Sequence, residues 1–298
     1  MDFEVLSTTQ NLHVFDGSRS GRPGVFILSR ASLEMVRRKA AARPGPRGVH
    51  CCPWSRTDLR RRKVSGCIVS DETGQRKVTR LYIVRHGATR LSAEDRFAGS
   101  TDVELADEGR AQSAALGRRM RAEGFEAVYA SPMARTRETA SIASAGSGLT
   151  VNVLDGLREI GHGHWEGLSR REVEQRFPDE YASWEADPFT FSPEGGESGA
   201  AVLARALAAV RHILNRHAGH RVLVVSHKAT IRLVLSSLLG FDPRGYRDRL
   251  DQAPACLNVL DFRDPVRARL MLFNDTSHYD DITSSPDAHL SSWWDPPK

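Results

Sequence analysis

From about residue 79 onward the chain alternates short apolar runs with amphipathic stretches, and this alternation restricts the fold more than any other feature. Strands covered on both faces read as continuous aliphatic runs, and the helices between them supply the cover, so the order is that of a layered α/β domain. Leu81–Val84, Ala127–Ala130, Thr150–Leu154 and Arg221–Val225 are the predicted strands, with Cys256–Phe262 and Ala268–Phe273 as two more. A helix is predicted over Asp107–Arg121, closed by Gly124. Ser131-Pro132 reads as an N-cap and first-turn proline for a helix running to about Ala143. After Ser198, the residues Val202, Ala206, Val210 and Ile213 share one helical face, with Gly219 just past its end. Lys228 to Leu239 reads as a further helix, stopped by Gly240 and Pro243. There is no internal repeat and no low-complexity tract.

The net charge of +5 suggests nucleic-acid binding only until it is divided along the chain. Residues 1–78 hold 15 Lys and Arg against 7 Asp and Glu, which leaves 27 against 30 for the rest. The basic excess therefore belongs to an N-terminal extension, residues 1–77, punctuated by Arg43-Pro44-Gly45-Pro46 and an arginine run at Arg60, Arg61 and Arg62. It is expected to be poorly ordered or loosely docked: a solvated arm, or more sharply a tether to RNA or a membrane surface. Residues 78–282 form the expected folded domain and 283–298 a tail. No apolar run approaches a membrane span, and a start bearing Asp2 and Glu4 lacks the pattern of a secretory signal, so a cytoplasmic protein is expected. Cys51, Cys52, Cys67 and Cys256 have neither metal-ligand nor redox spacing, and no disulfide is expected.

His86, Arg135, Glu159 and His227 share a position: each lies at, or a few residues beyond, the carboxyl end of a predicted strand. Ligand crevices of open α/β sheets lie outside those ends, so four residues distant in sequence converge there. Arg85 directly precedes His86. Guanidinium groups bind phosphate oxygens bidentately and stay charged, and two arginines with two histidines around one pocket point to phosphoryl transfer. No glycine-rich P-loop with a following Lys-Ser/Thr is present, which argues against nucleoside triphosphate hydrolysis.

The segments carrying these residues resemble the histidine phosphatase superfamily, the phosphoglycerate mutase-like family. The resemblance runs through Leu81-Tyr82-Ile83-Val84-Arg85-His86-Gly87-Ala88-Thr89, Asp102 to Leu105 with Gly109 and Gln112, and Ser131-Pro132-Met133-Ala134-Arg135 with Thr139-Ala140. It continues through Leu157-Arg158-Glu159, Gly163-His164-Trp165-Glu166-Gly167, Gly195-Gly196-Glu197-Ser198 and Val225-Ser226-His227. Asn274-Asp275-Thr276, before His278, closes it. It implies a three-layer α/β/α sandwich with a mixed, mainly parallel sheet. It also implies that His86 is the nucleophile that becomes phosphohistidine, that Arg85, Arg135 and His227 hold the phosphoryl oxygens, and that Glu159 is the proton donor and then the base. Thr89, Ser92 and Gly99 are the expected substrate-binding positions. Ser92 and Ala98 stand where relatives commonly have Asn and Gln, and Lys228 follows His227 where Gly is commoner. That lysine reads either as a cation at the pocket mouth or as a solvated helix residue.

His162 and His164 could suggest zinc, but no Cys, Asp or Glu set completes a site at recognisable spacing, and none is expected. Trp165 reads as packing, Trp293 and Trp294 as tail residues, and His212, His217 and His220 as solvated. The implied activity is hydrolysis of a small phosphomonoester in the manner of a histidine acid phosphatase, without cofactor, metal, membrane or, for this domain, nucleic acid; no oligomeric state is implied. Phosphoglycerates, sugar phosphates, nucleoside monophosphates and cofactor precursors such as α-ribazole phosphate are candidate substrates. A phosphoglycerate mutase is the first alternative. The family's mutases carry a long insertion after the acidic motif, whereas here about thirty residues separate Trp165 from Gly195. A non-catalytic phosphate-binding regulator is the second, and the competent residues at all four reactive positions argue against it.

Overall fold

The computed structural model describes residues 77–279 and, separately, an antiparallel strand pair, β1 (Val5–Thr8) with β2 (Asn11–Val14). The chain divides into two units, Met1–Val64 and Ser65–Lys298, and the pair belongs to the first. The arginine run, three of the four cysteines and the Trp293-Trp294 tail lie outside the described residues.

The larger unit is built on six strands: β3 (Thr79–Arg85), β4 (Ala127–Ala130), β5 (Val151–Val153), β6 (Arg221–Ser226), β7 (Leu257–Phe262) and β8 (Ala268–Asp275). Their order is β5-β4-β6-β3-β7-β8. The first four are mutually parallel, β7 lies antiparallel beside β3 and β8 antiparallel beside β7, which gives the expected mixed, mainly parallel sheet. Successive strand residues point to opposite faces. Leu81, Ile83, Val222 and Val224 meet Ala206, Val210 and Ile213 of α6 (Gly199–Arg216) and Ile231 and Leu235 of α7 (Lys228–Leu239). Tyr82, Val84, Leu223 and Val225 meet Leu116 and Met120 of α2 (Asp107–Met120) and Ala140 and Ala143 of α3 (Ala134–Ala143) on the other side. Both faces being buried is why these strands read as unbroken apolar runs.

Five helices differ from the sequence reading. α3 begins at Ala134, not after Ser131; Met133 is its cap residue, and the carboxylate of Asp102, 2.8 Å from the Ala134 N–H, takes the capping role from a distant loop. The Ser131 hydroxyl accepts the Met133 N–H at 3.3 Å, and lies 3.0 Å from the Thr136 hydroxyl and 2.7 Å from His227 Nε2. α4 (Arg170–Arg176) and α5 (Pro178–Ala186) fill the stretch between Trp165 and Gly195, and escaped notice because they are short and mostly charged. The short helices α1 (Arg90–Ala93) and α8 (Tyr246–Arg249) follow β3 and α7. His217 is not simply solvated, since its Nε2 lies 2.9 Å from the Tyr129 hydroxyl. Trp165 is fully buried, in an aromatic cluster with Phe97 and Trp184.

Candidate active site

The carboxyl ends of β3, β4 and β6 lie side by side, because Val84 and Ala130 both pair with Val225, and Arg85 with Ser226. The ladder runs one step further, from the His86 N–H to the Ser226 carbonyl at 3.0 Å and from the Ser131 N–H to the Val225 carbonyl at 3.2 Å. His86 and His227 are thus delivered next to each other, with ring centroids 5.2 Å apart.

The loop after β3 is held tightly. A methyl group on Gly87 would run into the Gly109 carbonyl, and one on Gly109 into the Ala88 carbonyl, so both positions need glycine for backbone to approach backbone. Gln112 accepts the Ala88 N–H at 3.0 Å and Thr139 accepts the Gly87 N–H at 3.1 Å. These contacts fix His86, whose Nδ1 lies 2.8 Å from the Gly87 carbonyl. A carbonyl only accepts, so Nδ1 carries the proton and Nε2 has the lone pair. Burial, then the charges of Arg85 and Arg135, holds the ring well below the usual histidine range, and it is neutral.

His227 is fully buried and has the opposite tautomer: Arg135 donates through Nε to its Nδ1 at 3.3 Å, and its Nε2 lies 2.7 Å from the Ser131 hydroxyl. The remaining contacts of Arg135 run to the carbonyls of Ala98, Gly99 and Thr101, at 3.2, 3.0 and 2.8 Å. The same loop is gripped from behind by Glu166, whose carboxylate accepts the N–H groups of Gly99, Ser100 and Thr101, the hydroxyls of Ser100 and Thr101, and the His162 N–H. Burial raises the Glu166 carboxyl, but these hydrogen bonds outweigh it and hold it below the ordinary range. Gly99 has to be glycine, since a methyl there would strike the Ile160 carbonyl.

Arg85 is buried and donates through Nη1 to the Gln252 carbonyl at 2.6 Å, while its Nε has no hydrogen-bond partner among the described residues. Glu159 sits at the N-terminus of α7. Its carboxylate accepts the Ala229 N–H at 3.1 Å, the Thr230 N–H and hydroxyl at 3.0 Å each, and the Ile160 N–H at 3.1 Å. The Ala229 and Thr230 N–H groups belong to the first turn of α7, where a helix leaves its donors unpaired. Arg205 of α6 clamps the approach to Glu159 through the carbonyls of Gly156, Arg158 and Glu159.

Thr89 and Ser92 form the capping box of α1, each side chain bonded to the other's backbone N–H at 3.2 and 2.9 Å. The Ser92 hydroxyl donates back to the Thr89 carbonyl at 2.8 Å. These two expected substrate-binding positions therefore shape the loop after His86. His164 lies 3.1 Å from Glu180 and packs against Phe177, while the ring of His162 packs on Phe97. No group of three or more potential metal ligands comes together among the described residues. Cys256 is free, and burial pushes its thiol up to about 12. Arg205, Thr230, Gln252 and Arg232 are site-supporting residues that no local pattern marked.

Phosphoserine phosphatase 1 of Hydrogenobacter thermophilus is 32% identical over 165 residues, covering 55% of this chain and 78% of that protein. A probable phosphoglycerate mutase, GpmB, of Klebsiella pneumoniae is 34% identical over 164 residues, covering 54% and 74%. The solved structure of YhfR from Bacillus stearothermophilus superposes with a TM-score of 0.64 at 30% identity, over 67% of this chain and 98% of that one. The pattern of the histidine phosphatase superfamily (branch 1) matches residues 81–276, a span that includes His86, Arg135, Glu159 and His227, and the chain belongs to that family.

Proposed function

We propose that this protein hydrolyses a small phosphomonoester through a phosphohistidine formed on His86. The observation that carries the reading is the hydrogen bond from His86 Nδ1 to the Gly87 carbonyl, which leaves Nε2 unprotonated beside a buried arginine. Nε2 attacks phosphorus, the bond to the ester oxygen breaks, and that oxygen takes a proton from Glu159. Water then gives a proton to Glu159 while its oxygen attacks the phosphoryl group; the P–N bond breaks, and phosphate leaves with His86 restored. Two displacements replace one harder one. Arg85, with a donor unused, Arg135 and His227 are assigned to the phosphoryl oxygens, where fixed positive charge stabilises the transition state most. Residues 78–282 are read as the catalytic domain.

The mutase reading shares the phosphohistidine and is favoured by likeness to GpmB. Against it stands the modest segment between Trp165 and Gly195, which holds only α4 and α5. Inorganic phosphate release from p-nitrophenyl phosphate, with an acid-labile phosphoryl group trapped on the chain, tests all readings. A phosphatase releases phosphate readily, a mutase slowly and a binding protein not at all.

No helix among the described residues is long and apolar enough to cross a membrane.

A further inference from the structure

Lys228 and Arg232 stand one turn apart on α7 and project from the same side of the helix. Both meet one carboxylate: Arg232 Nη2 lies 2.6 Å from Asp251 Oδ1, and Lys228 Nζ lies 3.6 Å from the same oxygen. Arg85 reaches the same place, since its Nη1 donates to the carbonyl of Gln252, the residue after Asp251, at 2.6 Å. Burial, then the charges of Arg85 and Arg232, pushes the Lys228 ammonium down to about 8. Asp95 faces the lysine as a weaker counter-charge. Arg85 and Arg232 are 8% and 5% exposed, and each has a buried Nε with no hydrogen-bond partner among the described residues.

Buried cations are normally matched by anions, and buried donors by acceptors. Here Lys228 and Arg232 share Asp251, and the Arg85 and Arg232 guanidinium groups each keep an unused donor. Arg85 and Arg135 have Glu159 facing them where the phosphoryl group is assigned, whereas on α7 two cations meet one carboxylate, with Asp95 as the weaker second, so one positive charge there is left for a further anion.

Resting on the hydrolytic reading, we propose that Lys228 and Arg232, beside Arg85, form a second anion subsite that takes a carboxylate carried by the phosphorylated substrate. Lys228 is then a specificity residue, not a solvated one. The two arms of the pocket divide the substrate, with the phosphoryl group between His86, Arg135 and His227 and the carboxylate toward the α7 cations.

The test compares 3-phosphoglycerate with glycerol 3-phosphate, which has a hydroxymethyl group in place of the carboxylate. The wild type should prefer the acid in kcat/KM, and Lys228→Ala should lower that preference roughly ten- to hundredfold, the range for a hydrogen bond to a charged group. Lys228→Arg should restore most of it. Hydrolysis of both esters with a ratio indifferent to Lys228 overturns the subsite and leaves the hydrolytic reading standing. Calorimetric binding of the same two esters to His86→Gln protein, with and without Lys228→Ala, reads the subsite without turnover. A binding preference that vanishes with Lys228→Ala supports the subsite even if no ester is hydrolysed; equal affinities for the two esters overturn it.

Discussion

His86 and His227 face each other across 5.2 Å with their ring planes at 63°, and their hydrogen bonds give them opposite tautomers. His86 is protonated at Nδ1 and has its lone pair on Nε2. His227, fed by Arg135 at Nδ1, has its proton on Nε2. One ring thereby keeps a lone pair on Nε2 and the other a proton there, facing the Ser131 hydroxyl, although sequence alone describes both as histidines following strands.

Replacing His86 with Gln should lower turnover of p-nitrophenyl phosphate by roughly 10³-fold or more, because the nucleophile is lost and not merely a contact. The circular dichroism spectrum should be unchanged, since the residue lies beyond a strand end. Wild type quenched in alkali during turnover should carry phosphate that acid releases. Phosphate recovered on another residue, or substantial activity in the variant, would refute the mechanism.

The two buried histidines also make stability depend on pH. Burial and neighbouring positive charge hold both well below the ordinary value of about 6.5, so in the folded state they stay neutral where the unfolded chain takes up protons. Their contribution is intact above the unfolded pKa and is lost as pH falls from about 6.5 toward the depressed folded values. Each group contributes a slope of about 1.4 kcal/mol per pH unit within that window. Urea unfolding between pH 7.5 and 5 should show the decline. A His227→Gln protein should show a shallower one, and equal slopes would contradict the assignment.

The candidate site residues were legible because each lies at, or a few residues beyond, a stretch that reads as a strand, and sheet topology converts that shared position into proximity. What holds the groups was not legible. Glu159 is oriented by Ala229 and Thr230, some seventy residues away, and Arg135 is oriented toward a loop that Glu166 ties down from the far side. Such contacts leave no periodicity in the sequence. The cap of α3 was misread for a related reason. Ser131-Pro132 has local cap chemistry, but the serine hydroxyl is engaged by His227 and Asp102 supplies the carboxylate instead.

Lys228 gives the carboxylate preference a pH signature. Its ammonium, held at about 8 by burial and by Arg85 and Arg232 against Asp251 and Asp95, binds an anion only while protonated. The ratio of kcat/KM for 3-phosphoglycerate over glycerol 3-phosphate should be steady below pH 7 and fall as pH rises through about 8. Lys228→Arg should remove this dependence, because guanidinium stays charged. A flat wild-type ratio to pH 9.5 would count against the lysine.

The last prediction separates two glutamates that sequence leaves side by side. Glu166 accepts six distinct groups and has its carboxyl held low, so it is a fastener of the residue 99–101 loop; Glu159 is the group to which the proposed reaction assigns the proton exchange. Positioned general acids contribute roughly 10²–10⁴-fold, and Glu159→Gln should cost that much on an alkyl phosphate. An aryl phosphate with an acidic phenol leaves without a proton, so phosphorylation of His86 should be far less affected. Dephosphorylation still needs an activated water, so the variant should release a burst of phenol and then turn over slowly, with phosphohistidine accumulating. Glu166→Gln should instead slow alkyl and aryl substrates alike, with no burst, because it loosens the loop that Arg135 holds. A burst from the Glu166 variant, or equal losses without a burst from the Glu159 variant, would exchange the two assignments.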